Sequence, residues 1–416
     1  MADNLAAKLR ASLREQEQLL QVSLVLNPVE NFPFPADLEV TAGPLHGLYN
    51  SDKTRTREQR LETPLQFAGR EALERDSRLV YKAWAEALGA ADTTLRMLSG
   101  LHAHTVLFMA MAHPRQTILL LPVRAGGHLS GQAIVERLGL RVIEMAVDDA
   151  AMSVDMPATL DICERERPDY IFVDRSEGLV FEDFRALAQV EGPTKIFDAS
   201  QYLTNIVCGD HPNPFEWGYD LMVASVHKNF PGPQKALLAT RQNDERWQSL
   251  LKGVSTFVSN MHIASTYAAG LTLSRRDWLE DYSTRMLKVS VELEDALGER
   301  GVPVVKRRRD LPPTHHVWID EGDRNRAFTT YERLERCLFM TNFRTLPYAR
   351  GPGIRIGVNS AVRLGLEEND VPRLADLIAS IRAESPTPSL RKEARDFSEM
   401  IWSRASPTED SLPRPG

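Results

Sequence analysis

Between about Thr93 and Thr240 the chain alternates short apolar runs with helix-length amphipathic segments, and that alternation leaves few folds open. The runs are TILLL ending at Leu121, RVIEM at 141–145, YIFVD at 170–174, TKIFD at 194–198, LMVAS at 221–225 and KALLAT at 235–240. Such spacing predicts βαβ units and a mostly parallel sheet with flanking helices, the α/β class. After a helical stretch at about 281–300 the period changes to a VVKRRR strand, an HHVWID strand, a helix at 327–340, an IRIGV strand and a helix at 371–382. These compose a smaller α+β domain. The predicted division is an N-terminal helical arm at 1–45, a large domain at 46–280, a small domain at 281–385 and a tail at 386–416. Pro, Ser and charge concentrate from Ala405 onward, so the tail is expected to be disordered in part. Leu5, Leu9 and Leu13 place one apolar stripe on the opening helix, which must pack within the chain or on a partner subunit.

With 416 residues, of which 43% are hydrophobic and 26% charged, the chain has the composition of an ordinary folded protein. A net charge of −7 argues against nucleic acid as a partner, because phosphate backbones are bound by clustered Lys and Arg. Cys163, Cys208 and Cys337 form no close pair, which excludes a disulfide framework and a CxxC metal site. No metal is expected, and a reducing cytoplasm fits. The longest apolar stretches, near 104–112 and 117–123, fall short of the roughly 20 residues that span a bilayer. The charged N-terminus does not read as a signal peptide, so no membrane association is expected.

In open α/β sheets ligands lie at the carboxyl ends of the strands, which directs attention to Asp174, Asp198 and the Ser225–Lys228 segment. Lys228 stands just past a buried run and before a Pro/Gly turn, where a desolvated lysine would form a Schiff base readily. Asp198 ends the neighbouring run thirty residues earlier, about one supersecondary unit. A lysine to hold an aldehyde and a carboxylate to keep a pyridine nitrogen protonated is the pair that pyridoxal 5'-phosphate chemistry needs. Ser99 and Gly100 open an apolar helix whose free N–H groups suit a phosphate, or they are a structural cap alone. In the Gly126-Gly127-His128 turn the glycines admit close approach by a ligand, and His128 can lie flat on an aromatic ring.

Taken in order, these elements resemble the fold-type I pyridoxal-phosphate enzymes, and serine hydroxymethyltransferase most of all, over about residues 22–385. The marks are Glu30-Asn31-Phe32, Gly126-Gly127-His128-Leu129, Asp198 followed by Pro212-Asn213-Pro214, His227-Lys228 followed by Gly232-Pro233, and Gly353-Ile354-Arg355-Ile356-Gly357. The resemblance implies Lys228 as the lysine bonded to the cofactor, Asp198 at its ring nitrogen and His128 on its ring face. It implies Ser99, Gly100, Gln201, Ser225 and His227 around the cofactor, and Arg355 on the carboxylate of an amino-acid substrate. Tyr49 matches a tyrosine that reaches the neighbouring subunit's phosphate, which implies a homodimer with shared active sites.

Departures from the family pattern are as informative. Ser51 stands where the family has an acidic residue at the substrate, Gln201 where it has a histidine, and Arg344 where it has a folate-contacting asparagine. Tetrahydrofolate is therefore not expected as a substrate. Asp174, Arg175 and Glu177 replace a short, hydroxylic stretch and leave two readings open, recognition of a polar substrate or a solvated loop. The resemblance then implies a folate-independent enzyme acting on an α-amino acid. The first reading is β-elimination or decarboxylating deamination of a cysteine S-conjugate, as in the divergent branch of lincosamide antibiotic biosynthesis. The alternative is an aldolase or transaldolase that cleaves Cα–Cβ of a β-hydroxy amino acid.

Overall fold

The computed structural model describes residues 2–51, 55–62 and 66–405. Two units are present, and their boundary falls inside the helix Arg276–Glu299. Asn31–Ser283 form the larger; the described residues up to Glu30, with those from Thr284 onward, form the smaller. The opening segment is thus no separate arm. Its strand Leu24–Val25 pairs in parallel with Phe339–Met340, and this backbone pairing ties it to the C-terminal part of the chain. On the helix Ala2–Gln21, Leu5, Leu9 and Leu13 are exposed by 59%, 61% and 58%.

The larger unit is built on seven strands: β1 (Asp92–Met97), β2 (Thr117–Leu120), β3 (Arg141–Glu144), β4 (Tyr170–Val173), β5 (Thr194–Asp198), β6 (Leu221–Ser225) and β7 (Ala236–Thr240). Their order across the sheet is β1-β7-β6-β5-β4-β2-β3. The pairings among β2 to β6 are parallel, and β7 runs antiparallel to both of its neighbours. The physical reason is length: residues 226–235 are too few for a helical crossover, so the chain must double back. All six apolar runs are strands within a residue of their predicted ends. The seventh, β1, has no apolar run because Thr93, Thr94 and Arg96 are polar yet buried. The Thr93 hydroxyl donates to the Tyr81 carbonyl at 2.7 Å and the Arg96 guanidinium to the Val258 carbonyl at 2.9 Å, so burial leaves both satisfied.

Ile118, Leu120, Phe172, Ile196, Val223 and Leu238 turn one sheet face into a core with Leu107, Phe108, Trp247 and Val254 of two flanking helices. Each of the larger side chains contributes about 1.5–3 kcal/mol by leaving water. That packing fixes the strand ends, and through them the site.

In the smaller unit, β8 (His316–Asp320), β9 (Asn342–Thr345) and β10 (Pro352–Gly357) form an antiparallel sheet in the order β8-β10-β9. Helices Arg324–Arg336, Val371–Ala383 and Pro388–Arg404 complete the unit. The last of these lies in the segment read as tail; residues from 406 are outside the described ones. The VVKRRR segment is not a strand, and Val304 makes only an isolated bridge with Ile319. Arg307 accounts for the break. Its backbone N–H donates to the Glu294 carboxylate at 3.2 Å, so the donor a ladder would use is taken, while its guanidinium meets Glu294 at 2.7 Å and donates to the carbonyls of Ser290, Thr314 and His316. No helix among the described residues is long and apolar enough to cross a membrane.

Candidate active site

Adjacent strands β6, β5, β4 and β2 end along one edge of the larger unit's sheet and deliver Lys228, Asp198, Asp174 and His128. Asp198 is the last residue of β5 and is buried. One of its oxygens accepts from the Ser200 N–H at 2.6 Å, and the other meets Nε2 of His104 at 2.6 Å. Burial works against ionisation of this carboxyl. The hydrogen bond and charge of His104, the Lys228 ammonium and a hydrogen bond with the Ser200 side chain outweigh it and bring the pKa down to about 2. Asp198 is thus a buried anion at neutral pH.

Lys228 follows β6 on a loop held from several sides. Nδ2 of Asn31 donates to the Lys228 carbonyl at 2.7 Å, which gives the Glu30-Asn31-Phe32 motif its place. Oδ1 of Asn229 accepts from the Thr204 N–H at 2.8 Å, and its Nδ2 donates to Asn205 at 3.0 Å. A lysine on so constrained a backbone is pre-organised for a bond at Nζ. Its neighbour His227 contacts the Lys235 carbonyl at 3.1 Å through Nδ1. Burial and the Lys228 charge lower the His227 pKa to about 4, so its imidazole is neutral.

The Gly126-Gly127-His128 turn adopts its shape because no side chain fits there. Gly126 has φ +89, and a Cβ on it would meet the Glu177 carbonyl at 2.1 Å. The His128 N–H donates to Asp174 Oδ1 at 2.6 Å, and so Asp174 fixes the residue that the sequence places on the ring face. Burial, then the Asp198 charge, pushes the Asp174 carboxyl well above its ordinary range despite the opposing His128 N–H and Lys228. Two carboxyls on adjacent strands are therefore shifted in opposite directions.

The solvated-loop reading of Asp174, Arg175 and Glu177 is overturned, since all three are buried. Arg175 is committed to an ion pair with Glu182 at 2.5 Å and lies over the Phe184 ring, while Glu182 also accepts the Val154 N–H at 2.6 Å. The guanidinium braces this loop from within.

Ser99 caps the helix Gly100–Met111, accepting the His102 N–H at 3.2 Å. A Cβ at Gly100 would sit 2.5 Å from Ser225 Oγ and 3.4 Å from Ser200 Oγ, and these two hydroxyls lie 3.2 Å apart. Gly100 thus brings the helix N-terminus into direct contact with two buried hydroxyls, a polar cradle that a side chain at position 100 would not fit. That cradle, the anion at Asp198 and the pinned Lys228 fit a phosphorylated pyridine aldehyde at its phosphate, ring nitrogen and carbonyl carbon respectively. Gln201 is buried in the turn after β5.

Other residues singled out in the sequence lie elsewhere. The Tyr49 ring packs on Phe67 at 4.5 Å, and Ser51 follows it, half-buried. Arg355 lies in β10 of the smaller unit, buried, in register with Trp318 and Asn342. Its charge helps hold His316 well below the usual histidine range, after burial and His315. Arg344 stands in β9 and donates to the Thr345 carbonyl at 3.2 Å. His104 is the residue beside Asp198 that the sequence reading missed. Its signal was a polar position on the buried face shared by Gly100, Ala103 and Leu107 of an apolar helix. Among the described residues, His104, His128 and Asp174 also bring three potential metal ligands within 4.8 Å of one another.

Three comparisons bear on this geometry. The model of the serine hydroxymethyltransferase family matches residues 9–378. A serine hydroxymethyltransferase of Pyrobaculum calidifontis is 31% identical over 328 residues, 76% of each chain. A fluorothreonine transaldolase of Streptantibioticus cattleyicolor is 31% identical over 306 residues, 72% of this chain and 47% of that protein. In fold, the chain is similar to the crystal structure of L-threonine transaldolase from Pseudomonas fluorescens in its internal aldimine state. The TM-score is 0.89 at 20% identity, over 96% of this chain and 92% of the other.

Proposed function

The chain belongs to the serine hydroxymethyltransferase family of pyridoxal-phosphate enzymes, and on that footing we propose that it is a folate-independent aldolase or transaldolase of β-hydroxy-α-amino acids. Of the two reactions left open by the residues, the similarity to fluorothreonine transaldolase favours Cα–Cβ cleavage over reaction of a cysteine S-conjugate. The observation that carries the cofactor half of this reading is Asp198, a buried anion one strand from Lys228.

When bound, the cofactor supplies an electron sink for the pair left on Cα. Asp198 holds the proton on its ring nitrogen, and His128, anchored through its backbone by Asp174, keeps the ring plane. Lys228 would hold the aldehyde carbon and, when free, is an amine that could accept a proton and return it at the substrate's Cα. In the family pattern the substrate carboxylate falls to Arg355, a role for which a guanidinium is suited by its bidentate geometry. Cleavage would pass the β-hydroxyl proton to a base, for which the free Lys228 amine is a candidate, as Cα–Cβ breaks and an aldehyde leaves; addition of a second aldehyde at Cα would return that proton to the new β-hydroxyl. Ser51 in place of a carboxylate, with Arg344 in the folate position of the family pattern, removes the features that hydroxymethyl transfer would use.

Purified holoenzyme is to be given L-threonine, L-serine and cysteine S-conjugates without folate, with aldehyde release followed by coupled reduction and products by mass spectrometry. Aldehyde from a β-hydroxy amino acid, and exchange with an added aldehyde, are the expected results. Pyruvate or a deaminated acid from an S-conjugate, with no aldehyde from threonine or serine, overturns the proposal.

Assembly is part of the same proposal: a homodimer in which Tyr49 serves the partner's cofactor phosphate. Support comes from the exposed Leu5, Leu9 and Leu13 stripe and the position of Tyr49 in the family pattern. Mixed Lys228→Ala and Tyr49→Ala subunits, each inactive alone, should recover activity because one site of the heterodimer is intact. Absence of recovery despite demonstrated subunit exchange counts against shared sites.

A further inference from the structure

We propose that His104 is a positioning residue that acts through Asp198 to keep the cofactor's ring nitrogen protonated. It sits four residues along the helix whose first residue lines the phosphate cradle, so a single helix addresses both the phosphate and, through Asp198, the ring nitrogen. Nε2 of His104 lies 2.6 Å from Asp198 Oδ2, with both residues buried. The imidazole is held edge-on by Phe172, ring centroids 5.0 Å apart, and by His128 at 5.7 Å. The contact is fixed in direction as well as in distance.

Burial decides which nitrogen donates. Nδ1 of His104 is buried and has no hydrogen-bond partner among the described residues. Nε2 is therefore the nitrogen whose hydrogen is shared with Asp198, and as a donor it leaves the negative charge on the carboxylate.

Desolvation is the largest influence on Asp198 and acts to protonate it; His104 is the first of the groups that oppose it. Two proton arrangements compete once a pyridine nitrogen lies against Asp198: a protonated ring beside a carboxylate, or a bare nitrogen beside a carboxylic acid. Only the first makes the ring a strong electron sink. By donating to the carboxylate, His104 stabilises its charged form and so selects the first. The inference rests on the cofactor and not on which bond at Cα breaks, so it stands or falls apart from the aldolase reading.

The test loads wild-type enzyme and the variants His104→Phe and His104→Gln with pyridoxal phosphate labelled at the ring nitrogen with 15N. In His104→Phe the ring is kept and the donor lost. The 15N shift should move toward the unprotonated value, and cofactor affinity should fall about 10- to 150-fold, the factor a charge-assisted hydrogen bond represents. His104→Gln, which keeps an N–H donor at the position of Nε2, should retain most of the wild-type shift. A wild-type shift and affinity in His104→Phe overturns the proposal, as does a Gln variant no better than Phe, because packing would then be the sole role. Should His104→Phe not fold, the wild-type protein decides: 15N-histidine spectra must show a proton on Nε2 of His104, and an unprotonated Nε2 refutes the argument.

Discussion

Adding a single methyl group at Gly100 separates the phosphate cradle from the fold that carries it. The new Cβ of Gly100→Ala lies 2.5 Å from Ser225 Oγ, nearly an ångström inside normal contact, and 3.4 Å from Ser200 Oγ. Ser225 is fully buried, so its hydroxyl can only rotate away and lose its 3.2 Å contact with Ser200. That loss is worth about 1 kcal/mol. Alanine in place of glycine at a helical position returns up to about 1 kcal/mol. The cofactor-free protein should therefore unfold in urea within about 1 kcal/mol of wild type.

Cofactor affinity behaves differently, because the methyl and the displaced hydroxyl take the space of the phosphate oxygens. Losing one hydrogen bond to a charged group costs about 1.5–3 kcal/mol, so equilibrium dialysis should show pyridoxal phosphate bound at least about tenfold more weakly. Adding Ser225→Ala to Gly100→Ala removes the clashing oxygen and leaves the nearest serine carbon at an ordinary 3.8 Å. The double variant should recover part of the affinity. Wild-type affinity in Gly100→Ala, or no recovery in the pair, would refute the cradle.

Lys228→Ala should abolish turnover and the visible absorbance band of the lysine-bound cofactor while leaving the fold intact; persistence of that band would remove Lys228 from its role. Glu294→Gln leaves the Arg307 charge buried beside a neutral amide, and urea unfolding should register a loss of about 3 kcal/mol, whereas an unchanged midpoint would show the pair to be dispensable. His227 stays neutral in the folded protein down to about pH 4, but protonates near its ordinary pKa when unfolded. Stability of the cofactor-free protein should accordingly fall from pH 6.5 toward pH 4 by up to about 1.4 kcal/mol per pH unit, and His227→Asn should flatten that slope. An unaltered slope in His227→Asn assigns the proton uptake elsewhere.

The sheet was legible because buried parallel strands announce themselves as unbroken apolar runs, and Asp174, Asp198 and Lys228 were legible because they punctuate those runs. β1 was not, since its buried Thr93 and Arg96 satisfy their polar groups on carbonyls distant in sequence. The false strand at VVKRRR has the same origin in reverse: Arg307 is drawn into a buried pair that no local period encodes. Side-chain commitment is likewise a long-range fact. Arg175 reads as a ligand-binding guanidinium until Glu182 and Phe184 are found around it.

The split between the two strand-end carboxyls shows why the site depends on residues whose chemistry is ordinary taken singly. Asp174 and Asp198 are both buried at the carboxyl ends of adjacent parallel strands, and burial pushes both toward the neutral form. Asp198 escapes because His104 and the Ser200 N–H each donate to it at 2.6 Å. For Asp174 the single opposing hydrogen bond, from the His128 N–H, is outweighed by burial and by the charge on Asp198 itself. The charge on Asp198 thus adds to burial in raising Asp174, and the two carboxyls are shifted in opposite directions. An ionised Asp198 is the counter-ion that a protonated ring nitrogen would need. The helix Gly100–Met111 contributes to that ionisation by supplying His104, four residues beyond Gly100, which packs on Ser225 at the helix start.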